Sequence, residues 1–90
     1  MKKIGVVGIV LKGDKSVAVE MQKVLSDFAD IIIGRMGVPY REKGVNIISV
    51  ALDAPGNVIS ALSGKIGRLD GITAKTVYAP EDSIGKEEIK

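Results

Sequence analysis

Ninety residues, of which 46% are hydrophobic, suit one domain around one core, of a size often completed by association. The absence of cysteine and histidine removes disulfides, thiol nucleophiles, iron-sulfur ligation, zinc sites of the usual kind and the commonest general base. Thirteen basic and eleven acidic residues are scattered to a net charge of +2, and the aromatics are only Phe28, Tyr40 and Tyr78, so nucleic-acid binding by this chain alone is not expected.

Residues 3–11 (KIGVVGIVL) carry apolar side chains on both parities, as a central strand covered on both faces does. The break at Lys12, Gly13 and Asp14 leads into a helix, with Asp14 or Ser16 as the N-cap. In that helix Val17, Met21, Val24, Leu25 and Phe28 fall at helical spacing, and it ends near Ala29 and Asp30. Isoleucines 31–33 are β-branched and open a second strand that runs to about Val38, where Pro39 reads as its end.

After a turn at residues 40–43, Gly44 releases a third strand over 45–52 (VNIISVAL), so strands two and three read as a hairpin. Residues 53–57 (DAPGN) supply caps and a turn before Val58, Ile59, Leu62, Ile66 and Leu69 repeat at three or four residues as a second helix. Gly64 and Gly67 either fray the end of that helix or let it sit close to the sheet. Residues 72–78 (ITAKTVY) alternate as a last strand, and 80–90 form a charged tail outside a single domain at 1–79.

Strand, helix, strand, strand, helix, strand is the ferredoxin-like βαββαβ plan, an α+β two-layer sandwich. It has an antiparallel four-stranded sheet in the order 4-1-3-2 with two helices on one face. Strands one to three are apolar on both faces while two helices cover only one, so a homo-oligomer, dimer or tetramer, through the open sheet face is expected. No stretch approaches the roughly 18 apolar residues of a membrane span. Met1, Lys2 and Lys3 before a glycine-broken strand make a poor signal peptide, and a cytoplasmic location is expected.

GIVLKGDKS at 8–16 differs from a phosphate-binding loop by the inserted Asp14. Ile9, Val10 and Leu11 are strand residues, and Asp14 puts a negative charge where a phosphate would sit, so a nucleotide site is excluded. What survives is a glycine turn, Gly13 and Asp14, at a helix N-terminus that can meet a small anion or amino-acid-like carboxylate, with simple capping the more economical reading. Asp27, Asp30, Asp53 and Asp70 lie at element ends and assemble no acid/base pair, so an enzyme is not expected, nor a cofactor or metal.

Arg35, Tyr40 and Arg41 stand out as a potential clamp for a carboxylate or phosphate at the exit of strand two. Gly34, Gly37 and Pro39 are expected to shape a turn that brings both arginines together. Pairing with Glu42, Asp30 or a neighbouring subunit is the structural alternative, and the favoured one.

The run IIIGRMGVPYRE at 31–42, followed by GVNIISVALD and ISALSGKIGRLDGI, resembles the family of iron-only hydrogenase system regulators over residues 2–78. The core GRMG-x-PYRE, residues 34–42, is the most specific part of the likeness. That family is similar in fold to ACT domains and to the C-terminal domain of the nickel-responsive repressor. The resemblance therefore implies a ferredoxin-like subunit in dimers or tetramers, with a regulatory role and a small ligand or a hydrogenase-system protein as partner. Unlike the repressor, this chain has no ribbon-helix-helix segment and no His or Cys for nickel, so DNA binding and metal sensing do not carry over. ACT domains bind amino acids near the first strand-helix loop, to which residues 12–16 correspond loosely. The competing expectation is a purely structural or assembly protein without a small ligand.

Overall fold

The computed structural model describes residues 2–12 and 15–80. Its elements run β1 (Lys2–Leu11), α1 (Lys15–Asp27), a 3₁₀ turn (Ala29–Ile31), β2 (Ile32–Tyr40), β3 (Val45–Pro55), α2 (Gly56–Gly67) and β4 (Ile72–Tyr78). The strands form one antiparallel sheet in the order β2-β3-β1-β4, the expected ferredoxin-like plan read from its other edge.

Alternation on the central strands decides which side is inside. Val7, Ile9 and Leu11 of β1 and Ile48, Val50, Leu52 and Ala54 of β3 are buried beneath the helices. Met21 and Leu25 of α1 and Ile59, Leu62 and Ile66 of α2 complete a core with no buried polar residue among those described. Gly5 allows close helix approach, since a Cβ there would meet Ile59 Cδ1 at 3.3 Å. The hairpin closes through Lys43 N–H to Tyr40 O (3.3 Å) and Gly44 N–H to Arg41 O (3.1 Å). Gly44 has φ 67°, a conformation in which glycine avoids the Cβ penalty.

Several boundaries differ from expectation. β2 passes through Pro39 to Tyr40, with Pro39 opposite Asn46, because an edge strand has no partner on its outer side and a missing N–H there costs no ladder bond. Ile31 belongs to the 3₁₀ turn, and the register shifts between Ile32 and Gly34, leaving Ile33 in a bulge. β3 runs three residues further than expected, so Asp53 pairs with Ile4 and caps no helix; α2 has Pro55 at its N-cap with no side-chain bond. Ser16 lies inside α1 and so is not its N-cap, while Asp14 falls outside the described residues. Gly64 and Gly67 are exposed with nothing within 4 Å of a Cβ at either, so they do not bring α2 closer to the sheet.

Candidate functional site

The helices leave two surfaces for function: the open face of the sheet and the flank of β2 beside α1. Cross-strand pairing fixes the first. Val6 faces Ala51 and Val77, Val10 faces Ile47, and Ile47 faces Val38, so these side chains lie on one side of the sheet. Val6, Val10 and Ile47 are 39%, 41% and 45% exposed, whereas Val7, one position along, is 0%. Met36 and Tyr40 extend the apolar surface along β2. Lys75 interrupts it on the outer strand β4, and Asp53 lies in the row nearest the end of β3.

The second surface takes residues of the opposite parity. Arg35, opposite Val50, faces the helix side, and its Nη2 donates to Gln22 Oε1 of α1 at 2.7 Å. Gly37 and Pro39 follow on the same face, and with Arg35 they flank a groove of about 330 Å³ closed by α1.

The expected clamp is not assembled. Arg35 lies in the middle of β2 and Arg41 in the hairpin turn, so no turn at Gly34, Gly37 and Pro39 brings them together. Six residues of nearly extended chain separate them by roughly 20 Å. Tyr40, paired with Val45, is on the open face, opposite in parity to Arg35. Its hydroxyl donates to Glu42 Oε1 at 2.7 Å, within the intrachain structural reading. That bond is the main reason the Tyr40 phenol titrates above its ordinary 10.0, since it holds the proton on oxygen; desolvation acts in the same direction. Gly13 and Asp14 lie outside the described residues.

What the sequence concealed is the α1–β2 groove. Its signal was the period-two spacing of Arg35, Gly37 and Pro39, which becomes legible only when residues 34–39 are read as a strand. Among the described residues no cluster of His, Cys, Asp and Glu could hold a metal ion, and no helix is long and apolar enough to cross a membrane.

Residues 3–76 match the TM1266-like family, whose name carries, provisionally, the role of iron-only hydrogenase system regulator. The chain belongs to this family. A structure of the uncharacterized protein TM1266 from Thermotoga maritima matches with a TM-score of 0.86 and 31% identity, over 89% of this chain and 100% of that one. More distant structures share only the fold. A formyltetrahydrofolate deformylase from Pseudomonas putida KT2440 matches at TM-score 0.60 and 12% identity, over 86% of this chain and 29% of that one. An unknown protein from Galdieria sulphuraria matches at TM-score 0.60 and 14% identity, over 89% of this chain and 46% of that one. No curated protein matches. The GRMG-x-PYRE run, residues 34–42, is thus most of the edge strand and the start of its hairpin turn.

Proposed function

We propose that this TM1266-like chain is a non-catalytic regulatory subunit of the iron-only hydrogenase system, working in the cytoplasm as a homo-oligomer joined through its open sheet face. The observation that carries the reading is the apolar surface of Val6, Val10, Met36, Val38, Ile47 and Val77, which neither α1 nor α2 covers. An exposed apolar patch of this kind marks interaction sites on soluble domains. A second copy is the economical occupant, because identical faces related by a two-fold bury one another without a further gene product.

The regulatory part rests on family membership. The non-catalytic part rests on the absence of His and Cys, which leaves no thiol nucleophile and no imidazole base. Sedimentation velocity of the wild-type chain across a dilution series tests the assembly: a mass at a small multiple of 9.5 kDa is expected, and 9.5 kDa at micromolar concentration contradicts it.

A purely structural subunit without a small ligand is the second reading. It is favoured by the bonds of Arg35 to Gln22 and of Tyr40 to Glu42, which give two candidate binding groups acceptors within their own chain.

A further inference from the structure

Arg35, Gly37 and Pro39 alternate along β2 and so share its helix-side face, lining a groove of about 330 Å³ against Ala18, Met21 and Gln22 of α1. Leu11 and Ile48, both buried core residues, form its floor. Polar groups stand toward its ends. Arg35 is joined to Gln22 toward one, and Asn46, opposite Pro39, is at the other. Four residues of strand separate them by roughly 13 Å. Gly37 keeps the middle open: a Cβ there would approach Ile48 Cγ1 at 3.8 Å, ordinary contact, and any larger side chain would extend into the groove.

We infer that this groove binds a small aliphatic carboxylate lacking an ammonium group, such as a branched 2-oxo acid, with its carboxylate on Arg35 and its hydrocarbon over Gly37. The volume lies at the small end of the range for ligand pockets. Among the described lining residues Arg35 is the one cation and none is a carboxylate, so a monoanion balances the charge. Only one guanidinium donor is drawn to Gln22, leaving others of the planar fork for a carboxylate. An α-ammonium beside that carboxylate would sit close to the Arg35 cation, with no carboxylate among the described lining residues to pair with it. That approach of like charges selects against amino acids. The groove opens on the helix side and the face proposed for assembly is the other side of the sheet, with Val38 the one residue common to both, so binding and assembly are read separately and failure of either reading leaves the other standing.

Isothermal titration calorimetry of the full chain with 4-methyl-2-oxopentanoate and with leucine, which has the same carbon skeleton, tests the inference. Saturable binding of the oxo acid is expected, with leucine about tenfold weaker or worse. Arg35→Ala should weaken the oxo acid by about tenfold to a hundredfold, as loss of a charge-assisted contact does. Gly37→Val should abolish binding while the chain stays folded and its oligomeric state unchanged. If the valine variant folds poorly, Gly37→Ala is used, with a several-fold weakening expected. Absence of saturable binding at millimolar oxo acid overturns the proposal. So does leucine binding as tightly, or unaltered affinity in either the Arg35 variant or the folded Gly37 variant.

Discussion

Arg35 and Gln22, thirteen residues apart, meet side chain to side chain at 2.7 Å and tie the middle of the edge strand to the helix beside it. β2 is exposed along nearly its whole length, so this bond and the flanking groove contacts hold its outer part to the helical layer. Both partners are exposed, and the net value of such a bond is about 0.5–1.5 kcal/mol. A double-mutant cycle with Arg35→Ala and Gln22→Ala, read by urea denaturation, should give a coupling energy within or just below that range. Full additivity would show that the bond contributes nothing.

The glycines of α2 and β1 should respond in opposite directions. Gly64 is an exposed helix-interior position with open space around its would-be Cβ, so Gly64→Ala should stabilise by up to about 1 kcal/mol. Gly5→Ala places a methyl 3.3 Å from Ile59 Cδ1 in a fully packed region, and overpacking of this kind costs about 1–3 kcal/mol. Thermal unfolding of the two variants beside wild type should show Tm moving up for the first and down for the second.

Tyr40 provides a pH-dependent check. Its phenol is held protonated by Glu42, so the folded-state pKa lies above the unfolded value of 10.0. The contribution is fully present below pH 10.0 and is lost as pH rises through the folded pKa. In a Tyr78→Phe background, where Tyr40 is the remaining tyrosine, ultraviolet titration should place the transition above 10.0. Glu42→Gln should bring it downward, and an unchanged midpoint would show that the hydrogen bond is absent in solution.

The element order and the helical core positions were legible because periodicity alone carries them. Met21, Leu25, Ile59, Leu62 and Ile66 are buried where helical spacing puts them, and β4 has the expected bounds. Pro39 misled because its cost depends on whether the strand has a neighbour on both sides, which is a property of the sheet. That single misreading turned a strand into a turn and gathered Arg35 and Arg41 into a clamp that the geometry keeps apart. Asp53 misled in the same way: a good capping residue in isolation, it is claimed by pairing with Ile4. Apolar character on both faces of β1 and β3 was visible in the sequence, but which parity faces the helices required the register.

That parity supplies the most direct test of assembly through the open face. Ala51 lies on that face between Val6 and Gly34, while its neighbour Val50 is completely buried under the helices. Light scattering combined with circular dichroism on Ala51→Glu and Val50→Glu separates the two sides. Ala51→Glu should keep the wild-type spectrum and fall to the 9.5 kDa mass of a single chain, whereas Val50→Glu should lose its structure. An Ala51→Glu variant that remains folded and assembled with the wild-type mass would contradict the sheet face as the subunit contact.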